Sequence, residues 1–263
     1  MHELASIRLT TNTTDKPTVT LAVGMAGAGK SSIICRLQEE CERQGRRAYM
    51  INLDPAVRNL AFEPNIDVRD TIHYDGVREK YGLGPNGAIL TVCNLFATRF
   101  HQVVSLCEQR ASDIEHILVD TPGQIELFTW SASGAIISES FAASFSTSLL
   151  FVVDTPRVCD PQVFMSNMLQ CLSIMYKTKL PIVLAFNKID VHDHEFAHDW
   201  MMDSNRLYEA LDDISTYASE LSRALVTTIT EFYAGIQTVG VSAHTNEGFE
   251  MLLRTLTSHS PYK

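Results

Sequence analysis

Six mostly apolar runs of strand length recur along the chain, at residues 18–23, 48–52, 114–119, 148–153, 182–186 and 237–241. Clean apolar and polar alternation is missing from them. Both faces of each strand should therefore be covered, the signature of a parallel sheet between helical layers. Longer amphipathic stretches separate the runs. Residues 31–44 predict a helix directly after the first strand, and Phe164, Met168, Leu172 and Met175 place one apolar face at helical spacing. Residues 203–234 are long enough for two helices. The pattern predicts a three-layer α/β fold with a mainly parallel sheet flanked by helices. Residues 1–17 read as a polar leader and 18–258 as one domain, with helical insertions near 55–113 and 191–234. Residues 259–263 form its C-terminal end.

Composition narrows the partners. The 263 residues carry 21 Lys and Arg against 31 Asp and Glu, a formal charge of −10. That balance argues against a protein that grips nucleic acid by bulk electrostatics, and Arg43, Arg46 and Arg47 read as a solvated helix end. No apolar run approaches the roughly 20 residues of a membrane span, and no secretory start is present, so a soluble intracellular protein is expected. Cys35, Cys41, Cys93, Cys107, Cys159 and Cys171 form no Cys-x-x-Cys pair and read as reduced, small apolar residues.

The chemistry concentrates where predicted strands end. Gly24-Met25-Ala26-Gly27-Ala28-Gly29-Lys30-Ser31, with Ser32 following, lies between the first strand and its helix. This is a phosphate-binding loop in its required setting. Its backbone N–H groups and the positive helix end would surround phosphates, Lys30 would reach the β and γ phosphates, and the Ser31 hydroxyl would serve Mg²⁺. The domain is thus expected to be a P-loop NTPase. Asp120-Thr121-Pro122-Gly123-Gln124 leaves another strand. Asp120 there can hold Mg²⁺ directly or through water, the Gly123 N–H can approach a γ-phosphate, and Gln124 can orient an attacking water. Asn187-Lys188-Ile189-Asp190 leaves a third. A carboxylate at Asp190 accepts from both N1–H and the exocyclic amine of guanine, a donor pair adenine lacks. Asn187 would brace the loop, Lys188 would lie along the base, and Ser242-Ala243, off the last strand, would present an N–H to the guanine oxygen. The order of the four pieces is that of a guanine-nucleotide switch. GTP and GDP are the expected ligands.

With these motifs, Gly84-Pro85-Asn86 and the continuation Gln124-Ile125-Glu126 resemble the GPN-loop GTPases over residues 18–258. Runs such as Leu95-Phe-Ala-Thr-Arg99, Phe128-Thr-Trp-Ser-Ala-Ser-Gly134, Phe164-Met-Ser-Asn-Met168 and Tyr176-Lys-Thr-Lys-Leu-Pro181 look like the first of its three eukaryotic branches. That branch is associated with RNA polymerase II assembly and nuclear import. The resemblance implies a homodimer, or a heterodimer with a paralogous GPN-loop GTPase, in which Asn86 reaches the partner's γ-phosphate region. Gly84 and Pro85 would hold Asn86 on a tight turn. The resemblance also implies Asp54 and Asp70 at the Mg²⁺ and switch region, Glu126 beside Gln124 near the attacking water, RNA polymerase II subunits as clients, and a cytoplasmic protein that shuttles to the nucleus. Family members of this branch continue into an acidic tail, whereas this sequence runs to Ser260-Pro-Tyr-Lys263, as a truncated piece or a short-tailed lineage would, and a tail-encoded nuclear export signal is not part of the expectation.

Several residues invite sharper readings. His192, His194 and His198 could suggest a metal cluster, but a solvated helix start is the expectation. Met165, Met168, Met175, Met201 and Met202 could line an adaptable client groove, and core packing explains them more simply. Phe128, Trp130 and Phe141 are expected in switch-helix packing or dimer contact. No arginine finger stands out among Arg58, Arg69 and Arg99. Two functions share the site: a GTPase switch whose nucleotide state controls client binding, and a GTP-dependent scaffold in which hydrolysis is secondary. A small-molecule kinase would leave the base-reading loop without purpose.

Overall fold

The computed structural model describes residues 16–129, 131–212, 225–226, 232–233 and 235–258. Residues 1–15 of the leader, Trp130, most of 213–234 and residues 259–263 lie outside them. Seven strands form one parallel sheet: β1 Thr18–Val23, β2 Ala48–Asn52, β3 Ile66–Asp67, β4 His116–Asp120, β5 Ser146–Asp154, β6 Ile182–Asn187 and β7 Gln237–Val241. Their order is β3-β2-β4-β1-β5-β6-β7. β1 lies at the centre, with Thr18 beside both His116 and Ser146. Chain order reverses at β1, and the exits of β1, β4, β5 and β6 open on one edge. A doubly wound sheet binds its ligand at such a switch point.

Helices fill both faces. Helix α1, Lys30–Arg43, buries Ile33, Ile34, Leu37 and Cys41 on one side of the sheet. The C-terminal helix contributes Phe249, Leu252, Leu253 and Leu256 to the same cluster. On the opposite side lie α2 Val68–Thr71, α3 Tyr74–Tyr81, α4 Pro85–Ala97, α5 Phe100–Arg110, α6 Glu126–Thr129, α7 Ala132–Ser144, α8 Pro161–Thr178, α9 Glu195–Met202 and α10 Ser204–Asp212; the C-terminal helix, Phe249–Ser258, is α11. β5 shows why its sequence lacks alternation. Leu149, Phe151 and Val153 enter the larger cluster while Leu150 and Val152 enter the one under α1. Covering both faces requires apolar residues on both.

The larger cluster also settles several side chains. Met165, Met168 and Met201 are buried there with Phe128 and Phe141, Met175 packs against it, and Met202 is exposed. The apolar face of α8 is Phe164, Met168, Cys171 and Ile174, with Leu172 and Met175 only half-buried. All six cysteines are free, and burial pushes the thiols of Cys41, Cys93, Cys107 and Cys171 up to about 12. Arg43 pairs with Glu40 and Glu250, and Arg46 with Glu115. No helix among the described residues is long and apolar enough to cross a membrane.

Candidate nucleotide site

The phosphate loop joins β1 to α1. Gly29, just before α1, has a φ of 96° and touches the Asn187 side chain. A Cβ there would run into that amide, so only glycine fits both the backbone angle and the close approach. Lys30 is buried, and its Nζ donates to the carbonyls of Gly24 at 3.2 Å and Met25 at 3.3 Å. Burial lowers its pKa, opposed by Asp120 and Asp54. Ser31 donates its hydroxyl to Asp120 Oδ2 at 2.5 Å. Ser32, next on α1, is exposed.

Asp120 is completely buried, and its Oδ1 has no hydrogen-bond partner among the described residues. Burial pushes this carboxyl up to about 6, against the pull of Ser31 and Lys30. A buried carboxylate oxygen without a donor, next to a serine hydroxyl, is chemistry that suits a hard divalent cation with oxygen ligands. Asp54, after β2, is half-buried and also raised by burial, and its charge acts on both Lys30 and Asp120. Asp70 differs from Asp54. It is exposed on α2, and the buried acid of that segment is Asp67, which ends β3 and caps α2. Asp67 accepts from Asn52 Nδ2 at 3.0 Å and is gripped by Arg69, whose Nη2 lies 2.6 Å away. The guanidinium holds that carboxyl below the usual range against the penalty of burial. Arg69 is thereby committed to an ion pair, while Arg58 and Arg99 are exposed.

The turn after β4 closes over the phosphate loop. Thr121 donates to the Ala22 carbonyl at 2.5 Å, and a side chain on Gly123 would begin 3.1 Å from Ala26 Cβ. Beyond it, Gln124 Nε2 donates to Asn86 Oδ1 of the same chain at 3.3 Å, while Gln124 Oε1 is buried and unpartnered among the described residues. Asn86, Gln124 and Glu126 line one cavity of about 240 Å³, with Gly87, Ile89, Leu90 and Leu127. The Gly-Pro-Asn motif is a helix start, where the sequence suggests a turn. Gly84 caps α4 in extended backbone at φ −69°, and Pro85 occupies the first turn, where its missing N–H costs nothing.

The base-reading loop is tied to the phosphate loop. Asn187 donates to the Ala28 carbonyl at 2.8 Å and accepts from the Ala243 N–H at 3.2 Å. Lys188 donates to the Gly27 carbonyl at 3.0 Å. Ser242 donates to Asp190 Oδ1 at 2.6 Å, which fixes the carboxylate's orientation. One asparagine thus joins three loops.

A family model described as conserved hypothetical ATP binding protein matches residues 22–262. GPN-loop GTPase 1 of Schizosaccharomyces pombe is 44% identical over 250 residues, which are 92% of this chain and 68% of that protein. The chain belongs to the GPN-loop GTPase family. GPN-loop GTPase 1 of Dictyostelium discoideum is 50% identical over 235 residues, 89% of this chain but only 59% of that protein's length. A GTPase from Pyrococcus abyssi, solved in its apo form, shares the fold, with a TM-score of 0.80 and 24% identity over 94% of this chain and 98% of that one.

In this family member, sequence reasoning passed over Asp154 and Arg157. Asp154 ends β5, is buried, and forms ion pairs with Lys188 at 2.7 Å and Arg157 at 3.3 Å. The available signal was positional. Like Asp120 and Asn187, Asp154 is the first polar residue after an apolar run in the interior of the sheet. His192 and His198 are exposed beside the start of α9, whereas His194 is half-buried. His194 precedes α9, its ring stacked 6.0 Å from that of Phe186, and no group of three metal-ligating side chains occurs among the described residues.

Proposed function

We propose that this GPN-loop domain binds GTP and GDP and hydrolyses GTP. The observation that carries the reading is Asn187, which locks the base-reading carboxylate loop to the phosphate loop through Ala28 and Ala243. A base seated against Asp190 is thereby held at a fixed reach from phosphates on the Lys30 loop. The Asp190 carboxylate, oriented by Ser242, would accept from the guanine N1–H and amine pair. Among the named site residues, Ser31 and Asp120, with Asp54 close by, would hold Mg²⁺. When bound it would neutralise charge on the β and γ phosphates.

The chain's own groups account for the rest. Lys30 leaves the carbonyls of Gly24 and Met25 for phosphate oxygens, and the loop N–H groups stabilise charge that develops on the γ-phosphoryl group. Gln124 Oε1, buried without a partner among the described residues, is the acceptor available to orient a water, with Glu126 on the same cavity. Asn86 holds the other end of the Gln124 amide. A dimer in which Asn86 serves the partner's nucleotide requires that bond to open, so assembly would release Gln124 as it delivers Asn86.

We further read the protein as a dimeric switch, homodimeric or paired with a paralogue, that assists assembly and nuclear import of RNA polymerase II and shuttles between cytoplasm and nucleus. The support is the likeness of its local runs to the first eukaryotic branch and the relatives named GPN-loop GTPase 1. Turnover should be measured against protein concentration, with light-scattering mass recorded for the GDP and non-hydrolysable GTP forms. Specific activity that rises with the dimer fraction supports the shared site; constant activity in a proven monomer removes Asn86 from a role across the interface. Polymerase subunits should co-purify with Gln124→Leu in its GTP form, and equal recovery with the GDP form would count against the switch.

A further inference from the structure

Gly27 sits on the lip of the phosphate loop with a φ of 81°. Two cations converge on it. Lys188 Nζ binds its carbonyl at 3.0 Å, and the Arg157 guanidinium lies 3.7 to 4.0 Å from the point where a Gly27 side chain would begin. Both answer to one acid. Asp154, 7% exposed at the end of β5, lies 2.7 Å from Lys188 Nζ and 3.3 Å from Arg157 Nε. A buried carboxylate opposite two cations leaves one positive charge uncompensated within the group. Lys188 is already engaged by the Gly27 carbonyl and by Asp154. Arg157 holds Asp154 through Nε, so its two terminal nitrogens face the loop, and the side chain is 66% exposed.

We propose that Arg157 is a phosphate-binding residue that holds the nucleotide's di- or triphosphate chain against the Gly27 side of the loop, with Asp154 as the tether that aims it. Three facts converge on that role. A planar guanidinium donates in a fixed fork that matches phosphate oxygens. The tether removes much of the side-chain entropy that an exposed arginine would otherwise lose on binding. A side chain at residue 27 would occupy the gap between guanidinium and loop, so glycine there keeps the approach open. Arg157 then completes a ring of charge with Lys30 on the inner side of the loop and itself on the outer. Its consequence is slower loss of nucleotide, because dissociation must break an arginine–phosphate contact at the open edge.

The inference rests on the guanine-nucleotide reading, so the wild-type protein is tested first, for binding of a fluorescent GDP analogue. Absence of binding would remove that reading and the inference together. With binding established, Arg157→Ala should release the analogue about five- to tenfold faster in stopped-flow displacement, the effect of one partly exposed charge pair. Arg157→Glu should accelerate release further, and Arg157→Lys, which keeps the charge but has neither the planar fork nor the Nε that meets Asp154, should recover only part of the wild-type rate. Guanosine, which has no phosphate, should compete equally well against both wild type and Arg157→Ala, and the melting temperature without nucleotide should be unchanged. Release within twofold of wild type would overturn the inference. So would a loss of guanosine affinity in proportion to that of GDP, which would make Arg157 a structural brace of the loop.

Discussion

Replacing Asn187 by alanine tests the joint between the two halves of the site. The substitution removes a donor from the Ala28 carbonyl and an acceptor from the Ala243 N–H. Ala28 is buried and Ala243 half-buried. A buried orphan costs about 1–3 kcal/mol, so we assign about 2 kcal/mol to the Ala28 carbonyl and about 1 kcal/mol to the N–H that water can reach. The sum, about 3 kcal/mol, corresponds to a fall in Tm of roughly 6–12 °C for a chain of this length. Differential scanning calorimetry of the nucleotide-free protein reads it directly. Asn187→Asp sharpens the test. It keeps the acceptor for Ala243 but turns an oxygen toward the Ala28 carbonyl, so it should be no more stable than Asn187→Ala. GDP affinity should fall at least tenfold in both, since the loops no longer share a fixed spacing. A Tm within 2 °C of wild type, with GDP affinity unchanged, would refute the claim that Asn187 joins the loops.

Further expectations concern the same site. Asp120, pushed up to about 6, has a folded-state pKa above its unfolded value of about 3.9. Its contribution to stability is therefore full below about pH 4 and lost as pH rises through about 6, a difference of about 3 kcal/mol. Without divalent metal, the stability of wild type relative to Asp120→Asn should decline by that amount between pH 4 and 7 in urea titrations, and a flat difference would count against it. Gly29→Ala should displace the Asn187 amide and cost at least tenfold in GDP binding, read by calorimetric titration, whereas wild-type affinity would show that the loop yields cheaply. Gln124→Leu should keep GTP binding within a fewfold while phosphate release slows about a hundredfold, the scale of a misplaced nucleophile; unchanged turnover would take Gln124 out of the reaction.

Much of this was legible from the chain because sheet interior and chemistry use the same signal. Strands buried on both faces are apolar throughout, so the first polar residue after each one marks the sheet edge where ligands bind. That reasoning located β1, β2 and β7 with their observed ends, and placed Asp120 and Asn187 at strand exits. The ends of β4, β5 and β6 each run one residue further than expected, to take in Asp120, Asp154 and Asn187, and two strand starts moved for physical reasons. β4 begins at His116, two residues late, because its register with β1 opens at the Thr18–His116 pair; the Glu115 carbonyl just before it accepts from the Thr18 N–H while the Glu115 N–H bonds the Arg47 carbonyl. β5 runs two residues further back, to Ser146, because Ser146 and Thr147 pair with Thr18 and Val19 of β1. The two-residue β3 was missed, since two residues have no periodicity to read. The contact between Asn86 and Gln124 was equally invisible, because it depends on how α4 is laid against the turn after β4. Asp70 was assigned by likeness alone, while the buried, paired acid is its neighbour Asp67.

The central claim is that the Asp190 loop reads guanine. The family description that mentions ATP binding makes base choice the decisive question. Calorimetric titration of the full chain with GDP and with ADP, at one Mg²⁺ concentration and one pH, answers it. The account predicts at least a hundredfold preference for GDP, because adenine would leave the Asp190 carboxylate opposite no donor pair. Equal affinity for the two, or a preference for ADP, would contradict it.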